Sequence, residues 1–200
     1  MAWRALSEAG TSMVAQPGER APAAVNLSAA RALAELRKRH FAVLATASAD
    51  GRPHAAGVNY GVSGPDHDLA IYVMTRRHLL KARNISHNAR VALVIPQRRW
   101  LLWFLPPATM QLSGRAEILD GGDPAGVRVF EGFWLGRRIL RAYDAERQRG
   151  ETRICFLKIT PDPVVSTYMV GANVLRLGRH MKSGAGRAML PVTSQSTPRP

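Results

Sequence analysis

The chain has 200 residues, 46% of them hydrophobic, which suits one folded domain with a core and argues against a disordered polymer. Its 28 lysines and arginines against 14 aspartates and glutamates leave a net charge of +14, and its single cysteine excludes an internal disulfide and fits a reducing compartment. No run approaches the roughly 20 apolar residues of a bilayer-spanning helix, and the N-terminus lacks a charged-then-apolar signal pattern, so a soluble, cytoplasmic protein is expected.

Residues 1–25, rich in Ala, Gly, Ser and Pro, read as a flexible leader. The domain proper is expected over 26–180, opening with a helix to about Arg39 that Asn26 or Ser28 can cap. Phe41–Ser48 is an apolar β run, and the Asp50-Gly51 pair after it predicts a tight hairpin into a long strand, Arg52–Val62. Gly57 and Gly61 inside that strand suggest a bend or the close approach of a planar ligand. The turn-rich SGPDHD segment over 63–68 leads to a short buried strand, Leu69–Thr75.

A helix of two to three turns is predicted next, ending before a strand over Val91–Ile95 and placing Lys81 in its first turn. Free N–H groups and the positive end of the helix dipole favour an anion there, and Thr75, Arg76 and Lys81 add a hydroxyl and two cations. The spacing thus predicts a phosphate site.

The ordered residues Leu44-Ala45-Thr46, Asp50-Gly51-Arg52-Pro53, Val58-Asn59-Tyr60, Thr75, Lys81, Asn84-Ile85, Asn88 and Arg90-Val91-Ala92-Leu93 resemble the pyridoxamine 5′-phosphate oxidase-like family of FMN-binding split β-barrels. The resemblance implies a mainly β fold with flanking helices (α+β), six or so antiparallel strands, and a homodimer with its cofactor at the subunit interface. It implies FMN, or alternatively the deazaflavin coenzyme F-420, held by His54, Val58, Asn59, Tyr60, Met74, Thr75, Arg76, Lys81, Asn84 and Trp100. Leu79-Leu80-Lys81 stands where true pyridoxamine-phosphate oxidases carry S-R-K, and their C-terminal Arg- and His-bearing signature is missing, which argues against vitamin B6 synthesis. The expected activity is hydride transfer to or from a small organic substrate. The alternative is a non-catalytic flavin- or haem-binding or sensor protein of the same fold.

Further along, Arg98-Arg99 precede the aromatic run Trp100–Leu105 and two prolines, read as core or dimer contact that could also reach a neighbouring subunit's cofactor. A fifth strand is expected over Thr109–Leu119 with a bulge at Gly114, then a helix from Asp123 to about Gln148 that its glycines can break. Arg137, Arg138 and Arg141 on it are read as a solvated cationic face. Strands over 152–160 and 164–170, split by a Pro161-Asp162-Pro163 turn, close the barrel, with Tyr168 a secondary site candidate. Residues 172–179 read as a possible helix, and 181–200 as a disordered basic tail.

The six histidines show no metal-ligand spacing, so no metal is expected. No phosphate loop, nucleophile elbow or dinucleotide fingerprint occurs. The arginines are scattered without a nucleic-acid motif, so an anionic small molecule or an arginine-rich proteome explains the charge, and nucleic acid is not expected.

Overall fold

The computed structural model describes residues 28–97, 108–168, 170 and 185–191. The leader, the Arg98–Leu105 segment and the 172–179 helix of the sequence reading lie outside these residues. In chain order the elements are α1 (Ala29–Lys38), β1 (Phe41–Ala47), β2 (Pro53–Asn59), β3 (Gly61–Val62), β4 (Ile71–Arg76), α2 (Leu80–His87), β5 (Arg90–Gln97), β6 (Ala108–Asp120), α3 (Pro124–Glu131), α4 (Trp134–Gln148), β7 (Ile154–Tyr168) and β8 (Ala185–Met189). Every strand pair is antiparallel, in the order β2-β1-β5-β6-β7-β4-β3, with β8 added to β7. The sheet curls into a half-barrel with four flanking helices, the split β-barrel arrangement, and its curl brings β2 near β4.

Local chemistry fixes the ends of these elements. Ser28 caps α1, its hydroxyl accepting the Arg31 N–H at 3.3 Å, and Asp123 caps α3 by accepting the Gly126 N–H at 2.8 Å, with Pro124 in the first turn. At the β1–β2 hairpin Gly51 takes φ +83°, which an L side chain rarely adopts. The long helix expected from 123 to 148 is two helices, α3 and α4, broken at Gly132.

Two apolar clusters result from the period-2 alternation of the strands. Leu44 of β1, Ile71 and Val73 of β4, Leu93 and Ile95 of β5, and Leu157 and Ile159 of β7 fill the barrel. Tyr72 and Met74 point the other way and join Ile154, Phe156 and Phe130 beneath α3 and α4. Strand β4 is therefore buried on both faces, which explains its continuous apolar run.

Three expectations change. The predicted strand over 52–62 is divided at Tyr60, whose N–H donates to the His40 carbonyl (3.0 Å) while the chain leaves β1 to pair β3 with β4. The Pro161-Asp162-Pro163 segment does not turn the chain back but sits within the continuous strand β7. The register against β6 shifts between Leu112 and Gly114, so prolines that cannot donate are absorbed as an irregularity. At Gly114 an added Cβ would lie 2.4 Å from the Thr160 carbonyl oxygen, so only glycine admits that strand approach. Finally, the tail is not disordered throughout: β8 pairs with Val164–Tyr168, and Ala188 and Leu190 are both 4% exposed.

Cys155 faces the barrel and is fully buried, and that burial pushes its thiol up to about 11. The folded state therefore holds the proton, and this small contribution to stability is lost as pH rises from the free-thiol value toward 11. A native thiolate fraction roughly 100-fold below that of an ordinary cysteine is expected at pH 8. An aromatic disulfide reagent should leave the folded protein unmodified for hours and titrate one thiol in denaturant. Rapid native labelling would contradict the buried placement.

Candidate functional site

The candidate site is built around α2. Leu79 stands at its N-cap position with no side-chain oxygen to offer; the Ala82 N–H turns back to the Leu79 carbonyl at 2.9 Å, which leaves those of Leu80 and Lys81 for another acceptor. Lys81 lies in that turn, half-buried, with no ion pair among the described residues. Burial holds its ammonium below the ordinary lysine value, and the Cys155 thiol beside it pulls weakly the other way. A partly desolvated cation with no ion pair among the described residues, in the first turn of a helix without a side-chain cap, has the chemistry to receive an anion.

One turn further along the same helix face is Asn84, 3% exposed, whose Nδ2 donates to Thr46 Oγ1 of β1 at 2.9 Å. Thr46 pairs across the hairpin with His54, so the two side chains share the inner face of the β1–β2 ribbon. His54 Nδ1 is buried there without a hydrogen-bond partner. Thr75, the last residue but one of β4, is 1% exposed and paired with Cys155. One hydrogen bond and one cross-strand pair thus link Asn84, Thr46 and His54, with Lys81 one turn back on α2 and Thr75 on β4. Thr46 carries part of the family resemblance but is not among the expected site residues, because its partner Asn84 lies 38 residues away.

The other sequence candidates are placed elsewhere. Val58 (5% exposed) belongs to the barrel core, and Tyr60 is fully buried with its phenol donating to the Leu36 carbonyl at 2.9 Å. Burial raises the Tyr60 phenol far above its usual value. Asn59 lies on the exposed outer face of β2, and the Met74 side chain joins the second core. Arg76 points to α4, with ion pairs to Glu146 (3.6 Å) and Glu151 (3.7 Å) and its guanidinium 5.2 Å from the Tyr143 ring centroid. Hydrogen bonds from Arg153 hold the Glu151 carboxyl at about 2, so that anion persists at any physiological pH. Tyr168 is 37% exposed on β7 next to β8. Trp100 lies outside the described residues.

Among the described residues there is no cluster of three or more His, Cys, Asp and Glu side chains able to hold a metal, and no helix long and apolar enough to cross a membrane.

A family model described as pyridoxamine 5′-phosphate oxidase matches residues 29–167. Among solved structures the chain is similar to the heme storage protein HutZ of Vibrio cholerae, at 18% identity and TM-score 0.52 over 70% of this chain and 94% of that one. It is similar to a pyridoxamine 5′-phosphate oxidase-related, FMN-binding protein of Nostoc punctiforme at 14% identity and TM-score 0.52, over 78% and 86% of the two chains. A conserved hypothetical protein of Mycobacterium tuberculosis matches at 18% identity and TM-score 0.51, over 72% and 86%. At these identities the likeness is one of fold. No curated protein matches the sequence.

Proposed function

The chain belongs to the pyridoxamine 5′-phosphate oxidase family, and from that premise we propose that it is an oxidoreductase binding FMN, or alternatively coenzyme F-420, with its phosphate at the start of α2. The observation that carries this reading is Lys81: a half-buried ammonium with no carboxylate partner among the described residues, in the first turn of a helix without a side-chain cap. The family's phosphate-bearing cofactor fits that charge. When bound, the ring would accept or give the hydride, and the chain supplies binding, orientation and shielding from water.

Lys81 and the α2 N–H groups hold the phosphate, while Asn84, fixed by Thr46, keeps that helix face in place against β1. Thr75 closes the β4 side. His54 presents an unpaired imidazole nitrogen to whatever lies against β2, able to donate or accept one hydrogen bond. The substrate is a small organic molecule, and vitamin B6 synthesis is not proposed, since Leu79 and Leu80 offer no cation beside Lys81. We take the working unit to be a homodimer with a cofactor at each shared edge. Light scattering at micromolar concentration should return about twice the 21.9 kDa of one chain. A monomer would end that part of the reading.

Lys81→Ala removes one charge-assisted bond of about 1.5–3 kcal/mol, so cofactor affinity should fall by roughly 10- to 150-fold without being abolished. The pH dependence has a definite sign. The charged ammonium binds the anion, and its lowered value means that affinity falls as pH rises toward the ordinary lysine range, whereas Lys81→Ala should be flat there. Titration of both proteins with FMN and with the deazaflavin, by fluorescence, tests this. Unchanged affinity in the variant for every cofactor that the wild type binds would place the phosphate elsewhere.

A second reading, binding without turnover, is favoured by the unpartnered His54 nitrogen, since an imidazole nitrogen is also a haem-iron ligand. The visible spectrum of the purified protein separates the two: a flavin or deazaflavin absorption reduced by a hydride donor supports the first, and a Soret band lost in His54→Ala the second.

A further inference from the structure

The N-terminal half of α4 carries a second feature, on a different element from Lys81. Trp134, Arg137, Arg138 and Arg141 occupy one helix face at i, i+3, i+4 and i+7, and they line a surface hollow of about 360 Å³. Trp134 is 64% exposed, an unusual state for so large an apolar ring on a protein surface, and the Arg138 guanidinium lies 5.3 Å from its ring centroid. Arg137 donates to the Glu131 backbone carbonyl at 2.8 Å and leaves the carboxylate aside.

The contrast along the helix is in charge compensation. Toward the C-terminal end Arg147 pairs with Asp144 at 3.2 Å, Arg149 with Glu146 at 3.3 Å, and Arg76 of β4 with Glu146. None of the three arginines at the hollow has a carboxylate partner among the described residues. Three uncompensated, bidentate-capable cations beside an exposed indole match a ligand that combines several phosphates with a flat aromatic ring.

We infer that this hollow binds a nucleoside polyphosphate, its base against Trp134 and its phosphates against Arg137, Arg138 and Arg141. The volume lies at the small end of ligand pockets, which suits one nucleotide better than a strand. The hollow is lined by α4 alone and shares no residue with the Lys81 site on α2, and its occupancy depends on no cofactor.

The test uses the full chain and titrates ATP, ADP and a ten-residue oligothymidylate, followed by calorimetry and tryptophan fluorescence. Saturable ATP binding with a Kd below about 1 mM is expected. The fluorescence change should vanish in Trp134→Phe. In the doubly substituted Arg138→Gln, Arg141→Gln protein the affinity should fall by about tenfold or more, the loss of one to two charge-assisted phosphate contacts. These exposed positions are tolerant of substitution, and unchanged thermal unfolding of the variants will show it. Lys81→Ala should leave ATP binding intact, so failure of the cofactor reading and failure of this one are distinguishable. No binding of ATP, binding of the oligonucleotide alone, or binding unaffected by the double substitution overturns the inference.

Discussion

Replacing Phe156 by alanine is expected to destabilise the fold by about 3–5 kcal/mol, the range for removing a buried phenyl ring. The ring is fully buried and anchors the layer between the sheet and the α3–α4 pair: the Phe130 centroid lies 5.5 Å away and that of Tyr72 at 6.4 Å, both edge-on. Little could collapse into the space, because β4 and β7 are held rigid by six paired positions. At about 2–4 °C per kcal/mol for a chain of this size, the melting temperature should drop by roughly 6–20 °C. Urea unfolding of wild type and variant measures it directly. A loss under about 1 kcal/mol would mean that α3 and α4 do not rest on this ring.

The second large effect is expected from ending the chain after Gly184, which removes β8. From sequence the tail looks dispensable, since its composition is small and polar around a few apolar residues. In the structure Ala188 and Leu190 are buried, the Leu190 N–H donates to the Pro163 carbonyl at 2.7 Å, and five residues ladder against β7. Burial of Leu190 alone contributes about 1.5–3 kcal/mol, so a fall in melting temperature of roughly 3–12 °C is expected. The uncovered edge at Val164–Tyr168 should also raise concentration-dependent aggregation. An unchanged melting curve would return this segment to a passive tail.

The sequence made the local features legible. Asp50-Gly51 marks its hairpin because only a few residue pairs accept positive φ, and Lys81 is placed by the end of an apolar strand followed by helical spacing. The bulge near Gly114 follows from a glycine inside an alternating run. What stayed hidden depends on partners distant in sequence. Ala185–Met189 has weak strand propensity of its own and is a strand because β7 offers an open edge. Arg76 looks free for a phosphate until Glu146 and Glu151, some 70 residues on, are seen to neutralise it. Tyr60 reads as one of a ligand-facing strand until Leu36 is found accepting its hydroxyl proton. Two prolines in β7 look like a stop, and only the pairing on both sides shows the strand passing through them.

The burial of β4 on both faces has a consequence during synthesis. Its one neighbour from earlier in the chain is the two-residue β3, and its full-length partner is β7, where Arg76 meets Ile154 and Ile71 meets Ile159. At about 5–20 residues per second the ribosome needs roughly 4–16 s between the two strands, and throughout that interval an Ile-Tyr-Val-Met segment waits without its full-length partner. Closure of the half-barrel therefore waits until β7 has left the ribosome. The nascent chain is expected to engage a holding chaperone in that window, and slowing translation between residues 76 and 154 should lower the soluble yield while leaving the stability of the finished protein unchanged.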